Sequence, residues 1–293
     1  MTLEGKSALV TGAGAGLGRA EALALSKAGA SVVVNDYDVT AAQSVVDEIT
    51  SSGGSATAAP GDVSKWDIAE ALVQTAIDSY GQLDILVNNA GVLRDRTIFN
   101  ISEDEWDTVI GVHLKGHAGT SRFATAHWRD RSKASGEQVY GRVINTSSEA
   151  FLFGSAGQPN YAAAKAGIVA LTLATAKACS RYGVKANAIC PRARTAMTAA
   201  VFGEAPEGVD PLGVEHVAPL VAYLASPAAD AISGQVFVAY GPMVALATAP
   251  GVEKRFDASG AVWDDAELAQ VLSSHFASRD PEQSFAADAF MKL

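Results

Sequence analysis

The chain has 293 residues, 48% of them hydrophobic and 18% charged, and a formal net charge of -10. That composition excludes a disordered protein and gives enough apolar material for one large α/β domain. The acidic balance argues against broad nucleic-acid binding, and the two cysteines, Cys179 and Cys190, stand in no metal-type spacing, so neither nucleic acid nor metal is expected.

No charged-then-apolar leader precedes the first apolar run. The apolar runs further on are too short and too glycine-rich to span a bilayer. A cytoplasmic protein with no membrane partner is the expectation. Residues 7–11 form a short apolar strand that ends in glycines. Gly12, Gly16, Leu17 and Gly18 follow in a G-x-x-x-G-x-G turn, and an Ala/Leu-rich helix covers 16–28. A strand, a glycine turn and a helix N-terminus make an anion site, because free backbone N–H groups and the helix dipole both favour phosphate. Alone, the same turn is also a plain tight connection.

A β-branched strand at 31–36 ends in Asp36, eighteen residues after Gly18. A carboxylate there reaches ribose hydroxyls and repels a 2′-phosphate. With Tyr37 next to it, where an NADP enzyme often places arginine, the expected cofactor is NAD. A helix at 40–52 and a weak strand at 56–60 lead to Asp62 and Val63, a side chain and an amide placed to meet an adenine. Ser64 is a candidate N-cap for a helix to residue 80, and a buried strand at 83–87 delivers Asn88, Asn89, Ala90 and Gly91. Arg94 and Arg96 either meet an anionic substrate or sit in solvent. An acid-rich helix start of capping-box type at Ser102 opens a helix to about residue 129, which carries His113, and 132–138 reads as a polar loop.

A strand at 139–147 presents Ser148. Tyr161 stands thirteen residues later, on a helix to about 182, with Lys165 one helical turn beyond it. An ammonium beside a phenol lowers the phenol's pKa, which suits a general acid/base. A strand at 185–190 stops at Pro191, and 192–215 reads as a substrate lid beside it. A helix at 216–225, a strand at 233–239 and a tail follow. In the tail, 244–256 reads as strand or hairpin and 264–277 as a helix. The β-α alternation predicts a doubly wound, parallel, seven-stranded sheet with helices on both faces. It forms a dinucleotide-binding catalytic domain over 1–245, with a C-terminal extension over 246–293.

Thr11-Gly12-x-x-x-Gly16-x-Gly18, Asn88-Asn89-Ala90-Gly91, Ser148 and Tyr161-x-x-x-Lys165 resemble, in order and spacing, the short-chain dehydrogenase/reductase family over about residues 3–245. Arg94-Asp95-Arg96, Val112-His113-Leu114-Lys115-Gly116 and Gly157-Gln158-Pro159-Asn160-Tyr161 are similar to the (3R)-hydroxyacyl-CoA dehydrogenase part of type 2 peroxisomal multifunctional enzymes and their bacterial relatives. The resemblance implies that Tyr161 moves the proton, Ser148 binds the substrate oxygen and Lys165 holds the nicotinamide ribose. It aligns Thr195 with the residue that contacts the carboxamide. His113 takes the place of an asparagine whose carbonyl holds a water near the lysine. It keeps that carbonyl role or is satisfied locally. The family's Pro-Gly is Pro191-Arg192 here, and Arg192 and Arg194 either serve the substrate or sit in solvent.

The reaction so implied is hydride transfer between a secondary alcohol and NAD, on a 3-hydroxyacyl-CoA that could carry a steroid or polycyclic acyl group. The alternatives are a free steroid or alicyclic alcohol, and a non-catalytic NAD-binding regulatory protein. A homodimer or homotetramer is implied by the relatives. Ala166, Ala170, Ala174 and Ala178 allow close helix approach, whether within one chain or between two.

Overall fold

A computed structural model describes residues 2–249 and 251–279. Its core is one sheet. In chain order the elements are β1 (Ser7–Val10), α1 (Gly16–Lys27), β2 (Ser31–Val34), α2 (Val39–Ser51), β3 (Ala56–Ala58), α3 (Trp66–Tyr80) and β4 (Ile85–Asn88). Then come α4 (Glu103–Ile110), α5 (Gly116–Ser135), β5 (Gly141–Thr146), α6 (Ala150–Phe153), α7 (Pro159–Cys179) and β6 (Val184–Pro191). The chain closes with α8 (Ala199–Phe202), α9 (Ala218–Ala225), β7 (Val236–Tyr240), β8 (Met243–Leu246) and α10 (Asp265–Ala277).

The strand order is β3-β2-β1-β4-β5-β6-β7-β8. Strands β1 to β7 pair in parallel, as expected, and the order reverses between β1 and β4. Ligands of such sheets lie outside the carboxyl ends of the strands at that switch point. The sheet has eight strands rather than seven. A turn at Gly241, where φ is +49°, folds Met243–Leu246 back antiparallel on β7. Along β8, Met243 and Ala245 are partly covered while Val244 and Leu246 are exposed, the period-2 pattern of an edge strand.

Alternation along the strands divides the core. Ala8 and Val10 face the α1, α2 and α9 side with Leu25, Ile49 and Leu224. Leu9 and Val33 face the α3 and α5 side with Leu72, Ala124 and Trp128. Trp128 is fully buried, and its Nε1 donates to the Leu83 carbonyl at 2.6 Å.

Three local expectations change. Lys65 rather than Ser64 caps α3, because the Asp62 side chain accepts the Ser64 amide at 2.9 Å and holds Ser64 in a turn. The helix after Ser102 has the expected reciprocal capping box, but it is broken by a π turn at Gly111–Lys115. It then runs to Ser135, so half of the expected 132–138 loop is helical, ended by Gly136 in the left-handed region. Among the described residues, Pro159–Tyr182 is long and apolar enough by composition to cross a membrane. Its inner side nonetheless buries Asn160, Lys165 and Thr172 with protein partners, which makes it a core helix.

By contact density the chain forms two units, 1–247 and 248–293. In the second, α10 is capped by the Asp264 side chain, and Arg279 pairs with Glu253 at 2.9 Å.

Candidate active site

The β1–α1 turn supplies the first wall. Gly12 and Gly16 have φ of +61° and +55°, which side-chain-bearing residues rarely adopt. A Cβ on Gly12 would come within 2.7 Å of the Ala90 backbone, and one on Gly18 within 2.3 Å of the Gly12 carbonyl. These glycines therefore let strand ends and helix pack at contact distance. Ala15 gives α1 no side-chain cap, so its first-turn amides, at Gly16, Leu17 and Gly18, are open to an anion.

The strand ends lock together around this turn. The Thr11 hydroxyl accepts the amides of Asn89 and Ala90 at 3.0 and 3.1 Å. Asn89 Nδ2 donates to the Thr11 and Gly12 carbonyls. At the end of β2, Asp36 Oδ2 accepts the Gly14 amide at 2.9 Å and Oδ1 accepts the Asp38 amide, which aims the carboxylate at the glycine turn. Val63 packs against Gly116, and the Thr195 methyl faces Gly16. Pro191 ends β6. An open helix N-terminus, a carboxylate one strand away and small residues between them fit a dinucleotide. The Gly16 to Gly18 amides would hold its pyrophosphate and Asp36 its adenosine ribose.

The second wall carries the chemistry. Strand β5 presents Ser148, whose Oγ accepts the Ala150 amide at 3.3 Å. Pro159 starts α7 without costing a hydrogen bond, and Tyr161 and Lys165 then project from its first two turns. Lys165 Nζ lies 5.2 Å from the Tyr161 ring centroid and donates to the Thr146 carbonyl at 2.6 Å. The His113 ring meets the Tyr161 ring edge-on at 5.3 Å. The structure thus brings Ser148, Tyr161, Lys165 and His113 together.

The electrostatics differ from the expected lowering of the Tyr161 pKa by Lys165. Burial dominates and pushes the phenol up to about 12, with the Ser148 hydroxyl the group that favours its ionised form. Burial also brings the Lys165 ammonium down to about 7. Burial therefore disfavours both charged forms, the phenolate and the ammonium.

His113 sits in the π turn, a helical irregularity that recurs at functional sites because it shifts carbonyl register. It is 1% exposed, and burial holds its pKa well below the usual range, so the ring is neutral. Its Nε2 lies 3.0 Å from the Val92 amide and 2.8 Å from the Val92 carbonyl, a contact that pins the segment after Gly91. The side chain thus has a local partner of its own.

The partners of several neighbours carried no sequence signal. Arg192 and Arg194, expected in solvent or on substrate, are each engaged by a carboxylate, Glu149 and Asp210. Arg194 Nη1 also donates to the carbonyls of Phe202 and Gly203, so it closes the 194–210 segment on itself. Arg96 pairs with Glu105 at 3.2 Å, and Arg94 is exposed. His117, one turn after His113, is fully buried and brought down to about 3 by burial and then by Lys165.

Comparison with known proteins agrees with this geometry. Residues 6–205 match the family model described as short chain dehydrogenase. The hydroxyacyl-CoA dehydrogenase ChsB1 of Mycobacterium tuberculosis is 56% identical over 99% of this chain and 94% of its own length. The peroxisomal multifunctional enzyme type 2 of Mus musculus is 41% identical over 76% of this chain, which corresponds to 30% of that longer protein. A crystal structure of a short chain dehydrogenase from Mycobacterium avium superposes with a TM-score of 0.89 at 48% identity, covering 98% of this chain and all of the other. The chain belongs to the short-chain dehydrogenase family and is an oxidoreductase of the kind that uses a nicotinamide dinucleotide.

Proposed function

We propose that this enzyme interconverts a 3-hydroxyacyl-CoA and the 3-oxoacyl-CoA with NAD as the cofactor. The observation that carries the reading is the convergence of Ser148, Tyr161 and Lys165 beyond the carboxyl end of β5, at the same sheet edge as the glycine turn after β1 and Asp36 after β2. When bound, the nicotinamide supplies the hydride acceptor or donor and, oxidised, a positive charge near the phenol. Tyr161 takes the hydroxyl proton during oxidation and returns it during reduction. Ser148 Oγ hydrogen-bonds the substrate oxygen in both forms. Lys165, anchored on the Thr146 carbonyl, offers its remaining N–H groups to ribose hydroxyls and stabilises negative charge on the phenol.

NAD over NADP rests on Asp36. Its carboxylate is fixed by the Gly14 and Asp38 amides where a 2′-phosphate would sit, and the exposed Tyr37 that follows brings no positive charge. The acyl-CoA class is supported by the relatives named for hydroxyacyl-CoA and multifunctional-enzyme activity. A steroid or polycyclic acyl group remains one arm of the substrate test. Self-association is supported by α7, whose Ala163, Ala166, Ala170 and Ala174 are exposed in the single chain rather than packed inside it. Two free cysteines fit a cytoplasmic setting.

The test is a panel of 3-hydroxyacyl-CoA esters with linear and with steroid or polycyclic acyl groups, free steroid alcohols and alicyclic alcohols with NAD and NADP, read by nicotinamide absorbance. The proposal expects the highest kcat/KM on an acyl-CoA with NAD. A preference for free alcohols refutes the substrate class, and a preference for NADP refutes the cofactor.

A further inference from the structure

Glu149 follows Ser148 directly in the chain, and Arg192 follows Pro191 at the end of β6. The two are forty-three residues apart, and the structure joins them as a fork. Arg192 Nε donates to Glu149 Oε2 and Nη2 donates to Oε1, each at 2.7 Å. The side chains are only 21% and 11% exposed, so the pair is largely removed from water. Arg192 is fixed at both ends. Its amide donates to the Ala239 carbonyl at 3.0 Å, and its guanidinium lies 5.6 Å from the Tyr240 ring centroid. Glu149 is fixed as the residue that opens α6, which packs on α7, the helix of Tyr161. Its charge is felt at the strand end, where the Cys190 thiol is pushed up to about 12 by burial and then by Glu149.

We infer that the Glu149–Arg192 pair is a positioning clamp for the reaction, which ties the loop of Ser148 to the ends of β6 and β7 and neutralises a largely buried carboxylate in that loop. A planar guanidinium bonded twice to one carboxylate fixes orientation as well as distance, which a lysine cannot do. Deleting Arg192 leaves the Glu149 carboxylate largely buried without its twofold partner. Replacing Glu149 as well removes that buried charge. The clamp rests on the role proposed above for Ser148.

The test is a set of full-length variants: R192Q, R192K, E149Q and R192Q/E149Q. It reads kcat and KM on the best acyl-CoA, NADH affinity by cofactor fluorescence, and the urea midpoint. R192Q should lower kcat about ten-fold or more, with KM and NADH affinity within about three-fold, as expected when a contacting hydroxyl is misplaced. R192K should fall between R192Q and the parent. The double variant should lose no more kcat than R192Q, because the tie is already cut and the buried carboxylate is no longer charged. Losses that multiply in the double variant, or R192Q within about two-fold of the parent, overturn the clamp. If R192Q does not fold, a double variant that folds and turns over at least as fast as E149Q supports it, and one that does neither overturns it. If the parent binds NADH but turns over no acyl-CoA, the substrate reading fails by itself. Non-additive urea midpoints across the set then support the clamp, and additive ones overturn it.

Discussion

Glu21 offers the sharpest energetic prediction. It lies on the inner face of α1, fully buried, and neither carboxylate oxygen has a hydrogen-bond partner. Burial raises its pKa from 4.5 to about 8. The folded state thus keeps a proton that the unfolded chain releases above about pH 4.5, so stability must fall as pH rises from there until the folded group itself ionises. Each pKa unit is worth about 1.4 kcal/mol, so between about pH 5 and about pH 8 this one residue should remove about 3 kcal/mol. Glu21→Gln abolishes the titration while keeping the shape. Urea denaturation of parent and variant at both pH values isolates the term, because every other titrating group cancels in the difference and a constant m-value guards the comparison. The parent should lose about 3 kcal/mol more than the variant across that range. Equal losses would refute the reasoning, because they would mean that water or a partner reaches the Glu21 carboxylate.

Further outcomes follow from the same geometry. Asp36→Ala should narrow the ratio of kcat/KM for NAD over NADP by about ten-fold or more, since it removes both an acceptor for ribose and a repulsive charge; an unchanged ratio removes Asp36 from the ribose. Added salt should raise KM for an acyl-CoA several-fold and leave KM for a neutral alcohol nearly unchanged, which steady-state kinetics at two ionic strengths will show. Arg194→Ala frees Asp210 and the Phe202 and Gly203 carbonyls, so it should raise substrate KM about five-fold or more with NADH affinity unchanged; an unchanged KM would mean that the 194–210 segment does not touch the substrate.

The parts of this enzyme that were readable in sequence are those whose physics is local. The β-α alternation, the Gly12 to Gly18 turn, the Ser102 capping box and the one-turn spacing of Tyr161 and Lys165 each depend on neighbours a few residues away. What escaped depends on tertiary environment. The pairing of Arg192 with Glu149 joins two strand ends, and nothing near either residue announces it. Nothing in the Ala/Leu-rich sequence of α1 marks Glu21 as fully buried. The expectation for Tyr161 shows the same limit. Its one-turn spacing from Lys165 is legible, but the sign of its pKa shift turns on burial, which raises the phenol and lowers the ammonium. The π turn at His113 lies against α7, and the Val-His-Leu-Lys composition does not announce it.

The central claim is that the Tyr161 hydroxyl carries the reaction's proton. Tyr161→Phe deletes that oxygen and keeps the ring against His113. Turnover of the best 3-hydroxyacyl-CoA by this variant, alongside its NADH affinity by fluorescence, is the most direct measurement. The account predicts NADH binding within about three-fold of the parent and kcat lower by about a thousand-fold or more. A kcat within a few-fold of the parent, with NADH bound normally, would contradict it.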